Sequence, residues 1–286
     1  KTIMVLIADS GSSKTNWCLI KQDGEKLYFN TEGYNPYFVD SAYIVKSLIQ
    51  NLPVGISNSE ITEVYYYGAG CFPGKDFVLT DAIAEVFNRA KCFIELDLLA
   101  AARALLGNNK GFAAILGTGM NTCIYDGEKI IHNIDSLGYI LGDEGSGAAM
   151  GKKLLGDYIR VYMPEGISEL FYDTFHLDKE DIFDHIYGQP FANRFCADFS
   201  KFIFEQIHLA YFDGLVRSSF NELFQNLVIR YPDYQSYSFN CVGSIGFTFK
   251  NILSEVALKF DMPMGKIIKA PIDGLVDYHL TQMFNK

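Results

Sequence analysis

The chain has 286 residues, room for two compact lobes or one large α/β domain. Apolar residues make up 49% and charged residues 20%, which excludes a disordered chain, and 15% aromatic content calls for a ring-rich core or interface. With 34 acidic against 24 basic residues the net charge is −10, which disfavours nucleic acid and anionic membrane as partners and leaves any anionic ligand to backbone amides and a few lysines.

Six cysteines (Cys18, Cys71, Cys92, Cys123, Cys196 and Cys241) are scattered with no C-x-x-C pair and no clustered histidines. That usage suggests reduced thiols in the cytosol rather than a disulfide framework or a zinc site. The apolar run 3–8 is too short for a signal h-region or a membrane span, and no other stretch approaches transmembrane length. A soluble, cytoplasmic protein is expected.

From the N-terminus, residues 3–8 read as a buried strand, 9–14 as a polar turn and 15–20 as a second strand. Asp23-Gly24 turns the chain into a third strand over 27–30. Ala42, Val45, Leu48 and Ile49 share one face of a helix over 41–51. A strand at 64–67, a helix at 76–89, a strand at 92–96 and a helix at 98–106 follow. The glycine-flanked segment 107–111 is the expected boundary, dividing a lobe of 1–107 from one of 108–286.

The opening pattern then recurs. An apolar strand (112–116) leads to a glycine turn (117–119), a returning strand (121–125), Asp126-Gly127 and a third strand (129–132). Such self-similarity implies a duplicated fold, each copy presenting a phosphate-sized loop. The rest reads as mostly helical, periodic over 147–162, 191–212 and 214–230, with a strand at 238–242 and closing helices at 249–260 and 272–284.

Four glycine or serine loops, one aspartate and one asparagine can carry chemistry. In Asp9-Ser-Gly-Ser-Ser-Lys-Thr15, small residues let backbone amides approach an anion, Lys14 adds charge, and Asp9 can hold Mg²⁺ through water. A plain hairpin turn is the commoner reading of such a segment taken alone. Gly117-Thr-Gly-Met-Asn-Thr122 repeats the arrangement, with Thr118 and the Gly119 amide for phosphate and Asn121 for a hydroxyl or amide. In Gly142-Asp-Glu-Gly-Ser-Gly147, Asp143 can accept from hydroxyls while Ser146 caps a helix, and the spacing is not that of a calcium loop. Cys241-Val-Gly-Ser-Ile-Gly246 lies between strand and helix, where α/β sheets bind ligands. Asp97 follows a strand and opens an alanine-rich helix; an N-cap is its commoner role, and a capping carboxylate can also serve as a base. Asn35, in Gly33-Tyr-Asn-Pro-Tyr37, is either a ligand contact or an Asx turn.

In this order the loops resemble those of the actin-like ATPase superfamily, most closely its N-acetylglucosamine kinase and benzoyl-CoA-reductase activator ATPase group. Asp9–Thr15 resembles the group's D-G-G-G-T-K-T loop, Ile115-Leu-Gly-Thr-Gly-Met-Asn-Thr122 its G-T-G-S-N, Gly138–Ser146 its G-x-x-x-G-D-E-G-S, and Cys241–Ser244 its adenosine-side turn. Ser10, Ser12 and Ser13 depart from the first motif and Met120 from the second, where a sugar-contacting serine would stand. The resemblance implies a two-lobed actin-like (ribonuclease H-like) α/β fold with duplicated mixed-sheet domains and nucleotide in the cleft. Gly11, Ser12, Ser13, Lys14, Thr15, Gly117, Thr118, Gly119, Gly243 and Ser244 would bind ATP, with Mg²⁺ near Asp9. Asn35, Asn121 and Asp143 would orient an amino sugar, most simply N-acetylglucosamine, and Asp97 would take the proton of its attacking 6-hydroxyl. Glucosamine and N-acetylmuramic acid are alternative substrates. The resemblance also suggests a homodimer.

Two rivals come from the same superfamily. An ATPase activator of a CoA-thioester dehydratase or reductase ligates an iron–sulfur cluster between subunits, yet here Cys123 is inside a strand and no cysteine pair is close in sequence. A sugar-responsive repressor carries an N-terminal DNA-binding domain, for which a first strand beginning at Ile3 leaves no room.

Overall fold

An apolar run flanked by polar turns forms the spine of each of two units. In the computed structural model, which describes residues 4–11, 14–34, 39–68 and 77–284, the first unit comprises 1–109, 127–129 and 271–286 and the second 110–126 and 130–270. The division falls after Asn109, and the closing helix, placed by the sequence reading in the second lobe, belongs to the first unit.

In the first unit β1 (Val5–Ser10), β2 (Lys14–Ile20) and β3 (Lys26–Glu32) form an antiparallel meander. Then come α1 (Ser41–Asn51), β4 (Glu63–Gly68), α2 (Phe77–Val86), β5 (Lys91–Leu96) and α3 (Asp97–Leu106). The sheet order is β3-β2-β1-β4-β5, with β1, β4 and β5 parallel, so Ser10, Gly68 and Leu96 end in register at one edge. Helix α1 starts where Asp40 accepts the Tyr43 N–H at 2.8 Å. Its buried face is Ile44, Ser47 and Leu48, rotated from the predicted one, and Ile49 is exposed. The buried Ser47 hydroxyl is satisfied by Tyr34 and Glu32, a pairing that apolar periodicity cannot report.

The second unit repeats this plan. It contains β6 (Gly111–Leu116), β7 (Met120–Tyr125), β8 (Ile130–Asn133), α4 (Gly138–Leu141), α5 (Gly147–Ile159), α6 (Glu165–Phe175), α7 (Lys179–Phe183), α8 (Ala192–Asp198), α9 (Ser200–Glu205) and α10 (Ala210–Asn226). After these come β9 (Phe239–Val242), α11 (Ser244–Thr248), α12 (Lys250–Lys259) and β10 (Met264–Ile268). The order β10-β9-β6-β7-β8 is the first sheet's order copied strand for strand, with β6-β7-β8 antiparallel and β6, β9 and β10 parallel. Strand β10, the counterpart of β5, escaped sequence reading because it is a half-exposed edge strand containing Gly265 and Lys266. The single helix expected over 191–212 is broken into α8 and α9, with Leu209 extended before α10. All three bury apolar residues in one core, so periodicity runs on across the breaks.

The last helix, α13 (Ile272–Phe284), packs in the first unit against α3, where a Cβ on Gly274 would lie 2.6 Å from the Ala104 carbonyl oxygen. A similar close approach joins α5 to α8: a Cβ on Gly151 would lie 1.8 Å from the Cys196 carbonyl oxygen. Gly151→Ala should therefore destabilise the protein by about 2 kcal/mol, overpacking outweighing the better helix propensity of alanine. Urea denaturation checks this, and an unchanged midpoint would mean that α5 and α8 separate freely.

Candidate functional site

In the first unit the parallel strands deliver two carboxylates to one sheet edge. Asp9 is the penultimate residue of β1 and Asp97 the first residue beyond β5, two strand spacings away (about 10 Å). Asn16 Nδ2 donates to Asp9 Oδ2 at 3.4 Å. Burial pushes the Asp9 carboxyl from 3.8 up to about 6; the Asn16 bond opposes this and the Asp97 charge adds to it. Asp97 is half-buried and its carboxyl is likewise raised by burial, against the pull of the Leu98 N–H, which donates to Oδ1 at 2.8 Å. It is not the helix N-cap: that position is Leu96, and Asp97 opens the first turn of α3. It forms no ion pair among the described residues.

The turn between β1 and β2 is partly committed to its own structure. Gly11 N–H donates to the Lys14 carbonyl at 3.0 Å, which spends that amide on closing the turn. Thr15 is buried, and its hydroxyl meets Ser10 Oγ at 2.7 Å and the Glu32 carbonyl at 2.9 Å, so it offers no side-chain contact to a ligand. Lys14 is exposed. Ser12, Ser13 and Asn35 lie outside the described residues.

In the second unit two motifs far apart in sequence meet. The Gly117 N–H closes its turn onto the Gly119 carbonyl at 2.9 Å. The carbonyls of Gly117 and Thr118 accept the Gly147 and Ala148 N–H groups at 2.9 and 3.0 Å, which docks the turn on the first residues of α5. Ser146 caps that helix by accepting the Ala149 N–H at 3.1 Å. Asp143, with φ of 61°, lays its carboxylate against this turn: Oδ1 accepts the Met120 N–H at 3.2 Å, and a Cβ on Gly119 would lie 3.0 Å from Oδ2. Met120 itself packs in the core and contributes its amide rather than its side chain. Asn121 Oδ1 is held by the Thr122 N–H and by Asn133 Nδ2, both at 2.9 Å, which leaves its Nδ2 to donate. The Thr118 hydroxyl bonds nothing among the described residues.

Burial raises the Asp143 carboxyl above its ordinary 3.8, with the Met120 amide and the Lys152 charge opposing. A carboxyl raised by folding stabilises the fold only while protonated; that contribution is complete below about pH 4 and is lost as pH rises through the raised value. Asp143→Asn keeps an acceptor for the Met120 N–H and does not titrate. Wild-type stability should fall relative to this variant as pH rises from 4 to 7, and parallel denaturation midpoints would contradict the shift.

Gly243 and Ser244 follow β9, and Ser244 lines a cavity of about 470 Å³ with Lys201, Phe204, Phe247, Lys250 and Lys269. Sequence reading missed these partners because α9 carries no recognisable motif. The repeat could have flagged Lys269, which follows β10 as Asp97 follows β5.

A metal needs oxygen ligands, and no group of three or more acidic, histidine or cysteine side chains is arranged to hold one among the described residues. Asp9, a half-buried carboxylate matched only by an amide, fits Mg²⁺ bound through one carboxylate, water and phosphates rather than in a protein cage. The five described cysteines are free, with Cys123 buried in β7. No described helix is long and apolar enough to cross a membrane.

No protein-family model and no curated protein sequence matches the chain. Solved structures do. A Porphyromonas gingivalis protein named as a candidate N-acetylglucosamine kinase is 39% identical, with TM-score 0.92 over 98% of this chain and 99% of that one. A similarly named Chromobacterium violaceum protein has 14% identity and TM-score 0.74, covering 96% and 98%. MreB 5 of Spiroplasma citri bound to AMPPNP has 14% identity and TM-score 0.57, covering 100% and 98%. The latter two show the fold alone, which is the actin-like α/β fold with its two mixed five-stranded sheets. At 39% identity over almost the whole of both chains, the protein belongs to the N-acetylglucosamine kinase group of the actin-like ATPase superfamily.

Proposed function

We propose that this protein transfers the γ-phosphoryl group of ATP to an amino sugar, most simply to the 6-hydroxyl of N-acetylglucosamine. The observation that carries the reading is Asp97: a half-buried carboxylate at the end of a parallel strand, raised in pKa and free of any ion pair among the described residues. A carboxylate whose pKa is shifted towards neutrality is a better proton acceptor for a hydroxyl than an exposed one.

Asp97 takes the hydroxyl proton as the sugar oxygen bonds to the γ-phosphorus and the bond to the β-phosphate oxygen breaks, leaving sugar phosphate and ADP. The proton on Asp97 then passes to water. The phosphate charge must be neutralised, which is the main demand of phosphoryl transfer; Lys14 of the first glycine–serine loop is suited to this, as are the Thr118 hydroxyl and Gly119 amide of the second. Gly117 contributes the turn that presents them. Asp9 would hold Mg²⁺, which supplies charge neutralisation on the phosphates. Asp143 and the Asn121 amide nitrogen, with Asn35, orient sugar hydroxyls and the N-acyl group. Gly243 and Ser244 form the adenosine side, supported by the aromatic and lysine-rich cavity that Ser244 lines. The same reading makes the protein a cytoplasmic enzyme and a homodimer, the latter measurable by sedimentation.

ADP release with MgATP should depend on sugar when N-acetylglucosamine, glucosamine and N-acetylmuramic acid are compared. Hydrolysis at the same rate with and without every sugar would overturn the kinase reading and favour an ATPase that serves a protein partner.

A further inference from the structure

A second cavity, of about 480 Å³, lies in the second unit and shares no lining residue with the glycine turns. One wall is the face of α5 that carries Lys152 and Gly156, continued about one turn on by Arg160, the residue that caps its C-terminus. The other carries Phe183, Ile186 and Tyr187.

Three features distinguish it from a packing defect. Lys152 and Arg160 form no ion pair among the described residues, and no carboxylate lines the cavity. On a chain of net charge −10, a space lined by two basic residues and no carboxylate favours an anion. Gly156 sits inside α5, where glycine disfavours the helix, yet a Cβ there would meet nothing within 4 Å. No contact requires the glycine, and its missing side chain leaves the cavity open. Finally, residues Asp184–Gly188 form one turn of π-helix, a rare conformation that recurs at functional sites, and it presents the Tyr187 ring 83% exposed.

We propose that this cavity is a second ligand site for an anionic monosaccharide, its phosphate or carboxylate held by Lys152 and Arg160 and its ring packed on Tyr187. The volume suits a single sugar with one acidic group, and the C–H face of a pyranose complements the negative face of an aromatic ring. Lys152 ties the cavity to the proposed sugar residues. Its ammonium donates to the Tyr139 carbonyl on α4, and its charge opposes the rise in the Asp143 carboxyl pKa. An anion that draws Lys152 towards itself loosens both interactions, so occupancy is felt at Asp143. The choice of an amino-sugar phosphate as a probe rests on the kinase reading, whose product it would be; the cavity does not depend on that reading.

The test is calorimetric binding of N-acetylglucosamine 6-phosphate and of N-acetylmuramic acid to the full chain, with neutral N-acetylglucosamine as control. One of the two anionic sugars should bind at a site that Gly156→Leu abolishes by filling it, with no loss in Tm. Arg160→Ala, on the surface, should weaken the same binding about tenfold, and Asp97→Asn should leave it intact. The arm that binds identifies phosphate or carboxylate as the acidic group. Binding by neither sugar, or affinities unchanged in both Gly156→Leu and Arg160→Ala, overturns the proposal. Absence of sugar-dependent ADP release with cavity binding intact would instead count against the kinase reading alone.

Discussion

Asp97→Asn is expected to lower kcat by about 10²–10⁴-fold, the usual worth of a positioned general base. The substitution is nearly isosteric, and the amide oxygen can still accept the Leu98 N–H that now bonds Oδ1. It removes only the capacity to take a proton. Because burial already disfavours the ionised carboxylate, the neutral amide should not destabilise the fold, and the denaturation midpoint should stay level or rise. Nucleotide affinity should likewise be retained, since in the proposed mechanism the lost group acts on the hydroxyl. A kcat loss with unchanged KM for both substrates would assign Asp97 to the chemical step. A variant as active as wild type would remove Asp97 from that step, leaving it as a first-turn carboxylate of α3.

Gly243→Ala should produce the largest loss of stability, roughly 3–4 kcal/mol. Gly243 has φ of 128°, a conformation that L-residues with a Cβ adopt only under strain of about 1–3 kcal/mol. A Cβ would also lie 2.2 Å from the Leu116 carbonyl oxygen, and backbone cannot yield as a flexible side chain does; such overpacking costs about 1–3 kcal/mol more. The clash falls on the last residue of β6, immediately before the turn 117–119, while Gly243 N–H bonds the Ile268 carbonyl at 3.0 Å at the end of β10. The variant should therefore lose nucleotide affinity as well as stability, measurable by urea denaturation and ADP titration. Normal stability with normal ADP binding would show that the β9 turn relaxes without cost and touches no nucleotide.

The chain's own pattern carried much of this. Apolar runs ended by Gly, Ser and Asp located β1, β2, β4, β5, β6, β7 and β9, and helices at 41–51 and 272–284 came out with the observed bounds. The repeat of strand, turn and strand was legible because hairpin chemistry is written in adjacent residues, and the two matching sheet orders carry it into three dimensions. The motifs Asp9–Thr15, Gly117–Thr122 and Gly142–Gly147 were visible for the same reason.

Which partners each motif residue has depends on contacts between distant segments. Thr15 looked like a ligand contact and is instead buried on Glu32; Gly11 spends its amide on Lys14. Asp97 looked like a cap and is not one. The Asp143 carboxylate lies on the Gly119–Met120 turn 23 residues earlier, and Ser244 shares its cavity with Lys201 and Phe204 of α9. Strand β10 reads as a strand only beside β9, and α13 packs with α3 rather than with the segment it follows. Periodicity and turn propensity act over a few residues, so most strands and their duplication are legible in adjacent residues, while β10 and the breaks between α8, α9 and α10 are not. Burial and hydrogen-bond partners depend on which elements pack together, so they emerge only once the chain has folded.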